Sequence, residues 1–194
     1  NPDARCFMTS GEPQDYPVKI QLHEKVKTLS LGVNHSGALC EDGSVVMGGL
    51  GTDGQLGCSC SGYLEAYKLD IFDHQNPAEM VSCGDSFTAV VDQKGFVWSF
   101  GKGDNGRLGL GDTSNKTKPI KVDLTEEVTQ VSAGSRHAAA VSSKGNLFMW
   151  GFNFYLQIGQ DYGDRDITKP VKIDLEGVRK VSCGYFHTGA LCSE

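Results

Sequence analysis

A short stretch, Val131-Ser132-Ala133-Gly134-Ser135-Arg136-His137-Ala138-Ala139-Ala140-Val141, has three relatives within the same chain. They begin at Val81, Val181 and, most diverged, Leu29. The anchoring glycines are Gly32, Gly84, Gly134 and Gly184, spaced 52, 50 and 50 residues apart. A fixed period near fifty decides the fold class before any local preference does.

Each unit carries the same grammar. Val-Ser-x-Gly reads as a short strand ending in a turn. A strand of very small residues follows, with Gly37, Ala89, Ala139 and Gly189 at one position. Small side chains suit a crowded centre where sheets converge, so these residues are expected on inner strands near a common axis. Asp42-Gly43, Lys94-Gly95 and Lys144-Gly145 then mark hairpin turns needing positive φ. A larger apolar strand comes next, such as Phe96-Val97-Trp98-Ser99-Phe100. Pro17-Val18-Lys19-Ile20, Pro119-Ile120-Lys121-Val122 and Pro170-Val171-Lys172-Ile173 alternate apolar and charged residues behind a proline. They read as edge strands with proline at the first residue. Four short strands per unit, repeated about an axis, make a β-propeller blade, so the fold class is all-β.

Between the third strand and the edge strand lie Gly54-Gln55-Leu56-Gly57, Gly106-Arg107-Leu108-Gly109 and Leu156-Gln157-Ile158-Gly159. The central Leu or Ile is expected to plug the gap between units. Leu156 breaks the pattern, because a site requiring positive φ costs a leucine roughly 1–2 kcal/mol. The 152–160 loop is therefore expected to take another path. Residues 58–78 read as the longest linker, and residues 1–16 as a loop or the end of a missing blade. Residues 17–194 form the partial propeller.

Together these motifs resemble the regulator of chromosome condensation repeat: Ser-x-Gly-x-x-His-x-x-Ala-Leu, Asp-Gly-x-Val-x-x-x-Gly, Gly-Gln-Leu-Gly and Pro-x-x-Val. The resemblance covers about residues 17–194. It implies a seven-bladed propeller, of which this chain holds about three and a half four-stranded blades. Members of that family serve as guanine-nucleotide exchange factors for the Ran GTPase, as light sensors, and as interaction modules in ubiquitin ligases and ciliary proteins.

Composition narrows the partners. A net charge of −6 gives no global case for a nucleic-acid partner. One stretch, with Lys94, Lys102, Arg107, Lys116, Lys118 and Lys121, is locally basic and reads as a solvated face. No apolar run approaches the ~18 residues that span a bilayer, so no membrane partner is expected. Cys83 and Cys183 share a slot with Leu31 and Ala133, and Cys40 with Cys192. Such interchange marks small buried hydrophobes, and a reducing, intracellular compartment, cytoplasmic or nuclear, follows.

Several motifs with chemical spellings belong to the repeat instead. Gly101-Lys102-Gly103-Asp104-Asn105-Gly106 spells a dinucleotide loop but lacks the following helix. Gly84-Asp85-Ser86 resembles a nucleophile turn, yet its slots hold Ser135-Arg136 and Tyr185-Phe186 elsewhere. His35, His137 and His187 share one slot with Phe87 and are expected to hydrogen-bond the backbone of the adjacent turn, not a metal. Cys58-Ser59-Cys60 reads as a loop. No cofactor, metal or catalytic residue is assigned.

The expected function is a protein–protein interaction scaffold, part of a larger regulatory protein and not an enzyme. Its blade-tip residues Asp85, Ser86, Arg136 and Tyr185 are the expected partner contacts, since tips vary on a constant frame. The alternative is a guanine-nucleotide exchange factor for a small Ran-like GTPase. The resemblance supports that alternative at Asp85 alone, within a stretch similar to Gly-Asp-Ser-His-Thr, where Phe87 stands for the histidine. A light sensor is disfavoured, because Gly134-Ser135-Arg136-His137 has serine where that subfamily has tryptophan. Open propeller edges also suggest self-association, in which two copies approach the seven-blade total.

Overall fold

The computed structural model describes residues 20, 22–163 and 165–193. The segment 1–16 and all but Ile20 of the first expected edge strand lie outside the described residues. Three four-stranded antiparallel sheets follow one another: β1 (Val26–Leu31) to β4 (Tyr63–Lys68), β5 (Ala78–Cys83) to β8 (Lys116–Lys121), and β9 (Val128–Ala133) to β12 (Ile167–Ile173). Their middle strands are β2 (His35–Cys40), β3 (Val45–Leu50), β6 (Phe87–Asp92), β7 (Val97–Gly101), β10 (His137–Ser142) and β11 (Leu147–Gly151). A two-stranded sheet, β13 (Val178–Cys183) and β14 (Thr188–Cys192), begins a fourth blade. Among the described residues the single helical element is a 3-10 turn at Asp104–Gly106.

The Val-Ser-x strands β1, β5, β9 and β13 are the innermost and neighbour one another. The small-residue strands β2, β6, β10 and β14 stand second, inner strands directly behind those at the axis. Their smallness serves the seam between blades. A Cβ on Gly37 would come within 2.8 Å of Val81 Cγ2, on the first strand of the next blade. The anchor glycines are needed for a similar reason. A Cβ on Gly134 would lie 2.6 Å from the carbonyl oxygen of Gly184 and 2.5 Å from the His137 ring.

The repeated serine now has a role. Ser30, Ser82 and Ser132 Oγ accept the backbone N–H of Cys83, Ala133 and Cys183, at 2.9, 3.0 and 2.9 Å. Each serine stitches its innermost strand to the next one by accepting one of its backbone donors. The histidines act across the same seams. His35 Nε2 meets Thr88 Oγ1 and His137 Nε2 meets Thr188 Oγ1, each at 2.9 Å. The bond is to a hydroxyl of the following blade, where the sequence suggested the backbone of the adjacent turn.

Between blades the apolar side chains close into separate clusters. Leu56, Leu108 and Ile158 are fully buried in them, as plugs contributed by the loops after β3, β7 and β11. Two edge-strand expectations change. Pro119 and Pro170 lie inside β8 and β12, beside register shifts in the pairing with β7 and β11. A bulged edge needs no donor there. The first blade also has an outer strand, β4, within the stretch taken as a linker. It has no proline to announce it.

Candidate functional site

Antiparallel alternation puts the turn between the first two strands, and the loop between the last two, at one end of every blade. Backbone bonds join the two segments: Leu50 N–H donates to Asn34 O, Lys102 to Ser86 and Phe152 to Arg136, at 2.8, 2.8 and 2.9 Å. This end is the candidate interaction face. Asp85 and Ser86 occupy the turn of the second blade, Arg136 that of the third and Tyr185 that of the fourth. All four sequence-derived candidates therefore stand on one face, Asp85 and Tyr185 at one turn position and Ser86 and Arg136 at the next. Tyr185 is the most open, at 56% exposure, and Asp85, Ser86 and Arg136 are half-buried.

Arg107 joins them from below. The sequence placed it on a solvated basic face, but only 2% of it is exposed. It sits in the slot of Gln55 and Gln157. Its Nε donates to Asp104 O at 2.9 Å, while Nη1 donates to Ser135 O and Nη2 to Asn105 Oδ1 at 3.4 and 3.3 Å. Burial pushes the guanidinium's pKa down, and the charge of Asp85 counteracts that push. A buried cation thus lies beneath the face and supports the turn that carries Arg136. The Arg107 carbonyl also accepts the Trp150 indole N–H at 2.9 Å.

The third blade contributes the feature that sequence reading missed. Where the first two loops read Thr52-Asp53-Gly54 and Asp104-Asn105-Gly106, the third reads Phe154-Tyr155-Leu156. Leu156 does not divert the chain. It takes φ +57, matching Gly54 at +88 and Gly106 at +69. Its N–H bonds Asn153 O and its carbonyl accepts Gly159 N–H, as the glycines do in their loops. The expected alternative path is therefore corrected, because these turn bonds hold the leucine in the left-handed region. Phe152, Phe154, Tyr155, Tyr185 and Phe186 form one run of ring contacts, with centroids 4.5–6.3 Å apart. The Arg136 guanidinium carbon lies 5.9 Å from the Phe152 centroid.

Other chemical readings find no support in the geometry. Among the described residues, no three His, Cys, Asp or Glu side chains group to hold a metal. The Gly101–Gly106 stretch leads into a single 3-10 turn, not a helix that could present amides to a pyrophosphate. Cys58 and Cys60, read as a plain loop, are joined by a disulfide. Among the described residues no helix is long and apolar enough to cross a membrane.

The Regulator of chromosome condensation (RCC1) repeat matches residues 94–141 and 144–191, and a second description of that repeat matches 128–157, together just over half of the chain. The ultraviolet-B receptor UVR8 of Arabidopsis thaliana is 32% identical over 190 residues, covering 93% of this chain and 43% of its own length. The mouse regulator of chromosome condensation is 38% identical over 153 residues, covering 77% of this chain and 34% of its own. Among solved structures, human WBSCR16 superimposes with a TM-score of 0.82 at 28% identity, over 91% of this chain and 48% of that one. The chain spans less than half the length of these proteins.

Proposed function

Because the chain belongs to the regulator of chromosome condensation repeat family, we propose that it is a protein-interaction scaffold that presents the turn-and-loop end of its blades to a regulatory partner. One observation carries the reading: side chains vary at equivalent backbone positions on a constant frame. The turn reads Val33-Asn34, Asp85-Ser86, Ser135-Arg136 and Tyr185-Phe186 in successive blades. A repeat that holds its glycines and serines while releasing its tips carries a site grafted onto a scaffold. Asp85, Ser86, Arg136 and Tyr185 are the proposed contacts. An intracellular home, nuclear or cytoplasmic, suits the unbridged thiols of Cys40, Cys183 and Cys192. In such a compartment the Cys58–Cys60 bond is expected to open.

The test is quantitative affinity capture with the wild-type chain and with a variant carrying alanine at all four positions. The variant should melt like the wild type and lose specific partners. An unchanged partner set would sink the assignment. Unfolding of the variant would show that the four residues are structural.

A second reading, nucleotide exchange on a Ran-like GTPase, is favoured by Asp85 and by the similarity to the mouse regulator. Release of a labelled guanine nucleotide from Ran decides it. We expect no acceleration at substoichiometric protein, and a clear one would put this reading first. Light sensing receives no support from the tryptophans. Trp150 is buried and bonded to Arg107, and Trp98 donates its indole N–H to Asp92 at 2.9 Å.

A further inference from the structure

One triplet in the first blade breaks the pattern of its repeat. Counted from the turn glycines Gly57, Gly109 and Gly159, the blades read Cys58-Ser59-Cys60, Leu110-Gly111-Asp112 and Gln160-Asp161-Tyr162. Cys58 and Cys60 are bridged and half-buried, in the loop between β3 and β4. The first and second blades, which flank this loop, both have four strands, so its exposure owes nothing to the short fourth blade. A disulfide stabilises a fold by closing a long loop of the unfolded chain, and a bridge between positions two apart closes almost none. Accessible bridges that contribute little to stability are the ones that open and close. Other thiols of the chain differ. Burial raises the pKa of Cys40, and raises that of Cys183 to about 11, which keeps both protonated and unreactive.

The bridge also shapes the seam. Its two Cα atoms are 5.3 Å apart, less than the roughly 6.6 Å of two steps along a strand, so the closed ring fixes a bend with Ser59 at its tip. Ser59 Oγ donates to Thr117 Oγ1 at 3.1 Å, on β8 of the second blade. The second blade makes the corresponding contact with its backbone. Gly111, at φ +87, donates its N–H to Thr168 O on β12 at 2.8 Å. Thr117 and Thr168 each stand two residues before the proline of their outer strand. What the second seam holds through a glycine, the first holds through a side chain placed by two bridged cysteines. Cys60 packs against the start of the same loop, since a Cβ on Gly51 would come within 2.9 Å of its Sγ.

We propose that Cys58 and Cys60 are a thiol–disulfide exchange site for small thiols of the glutathione class, and that the closed bridge latches the first blade's loop onto β8 through Ser59. In opening, a small thiolate attacks one bridge sulfur and breaks the S–S bond. It forms a mixed disulfide, and the other cysteine leaves as thiolate. A second small thiolate attacks the first one's sulfur in that mixed disulfide and frees the remaining cysteine. Two small thiols are thus oxidised to one small disulfide, and the bridge takes up their two electrons and two protons. Closing runs the same steps backwards. In a reducing compartment the pair rests open, and a rise in small disulfide closes it. The exchange does not depend on the partner contacts Asp85, Ser86, Arg136 and Tyr185.

The test titrates the folded chain with mixtures of reduced glutathione and glutathione disulfide, traps thiols with N-ethylmaleimide, and weighs the peptide carrying residues 58–60. Across the series this peptide should pass from bridged to doubly alkylated in one transition, without denaturant. Hydrogen exchange in residues 51–62 should quicken about three-fold on opening, as the loss of one exposed hydrogen bond allows. Cys58→Ser/Cys60→Ser should exchange at the open rate in every mixture. Ser59→Ala should keep the transition and lose the difference in exchange. A bridge that stays closed in excess reduced glutathione until the chain unfolds would overturn the proposal. So would a pair that never closes in glutathione disulfide, or one that stops at a stable mixed disulfide. A transition that leaves wild-type exchange unchanged would overturn the latch. The wild-type titration alone decides the exchange site, even where a variant fails to fold.

Discussion

His35 Nε2 lies 2.9 Å from the hydroxyl of Thr88 across the seam between the first two blades, and that hydroxyl donates a hydrogen bond to Gln55 O at 2.8 Å. The hydroxyl donates to the carbonyl, so the imidazole N–H must donate to the hydroxyl. The third seam repeats the relay through His137, Thr188 and Gln157 O. The middle seam replaces every part together: Phe87 stands for the histidine, Ala138 for the threonine, and Trp150 supplies the donor to the loop carbonyl at Arg107.

The relay sets up a double-mutant cycle. Thr88→Ala leaves a buried imidazole N–H unpaired and should cost about 1–3 kcal/mol in urea unfolding. Adding His35→Phe, after the Phe87–Ala138 pattern, should recover part of that loss. Recovery stays partial because Phe100 offers no N–H to Gln55 O in the way Trp150 does to Arg107 O. Strictly additive effects of the two substitutions would refute the coupling.

The same histidines predict the acid response. Burial pushes His35 and His137 down to about 4, while an unfolded histidine titrates near 6.5. Above pH 6.5 both states are neutral and stability is full. As pH falls towards 4 the unfolded chain takes up protons that the folded chain refuses, so stability declines by on the order of 3 kcal/mol per histidine. Asp42 and Asp112 have lowered pKa values and so act only below this window. Urea midpoints from pH 7.5 to 4 measure the decline, and the His35→Phe/Thr88→Ala variant should show about half of it. A flat profile in the wild type would refute the assignment.

Leu156→Gly should raise stability by roughly 1 kcal/mol, because a left-handed φ of +57 strains leucine but not glycine. Thermal melting reads the shift. A lower melting temperature would show that the exposed leucine side chain supplies more than its backbone costs.

Arg107→Gln should be tolerated within about 1 kcal/mol, since Gln55 and Gln157 fill the same slot and accept the N–H of Asp53 and Tyr155. Arg107→Ala removes the donor to Ser135 O and leaves a void, and should cost about 1–3 kcal/mol. Chemical denaturation separates the two variants. Equal losses would place the arginine's contribution in its charge.

The sequence by itself determined the blade. Period, turn glycines and alternation are local properties, and the same local code written four times leaves one architecture. It also placed Asp85, Ser86, Arg136 and Tyr185 at the same two turn positions of their blades, because a repeat converts sequence offset into spatial equivalence. What passes between repeats was not legible. Ser82 meets Ala133, His137 meets Thr188 and Arg107 meets Ser135 across 28 to 51 residues of chain. None of these pairs has a spacing signal within a single unit. The small residues show the same limit, since smallness shows that something approaches closely but not from which side. Only the tertiary structure decided that Arg107 is buried, that Leu156 keeps the glycine path, and that five aromatic rings from two blades form one surface. Each outcome depends on a neighbouring blade, and a blade's neighbours are set by packing in three dimensions.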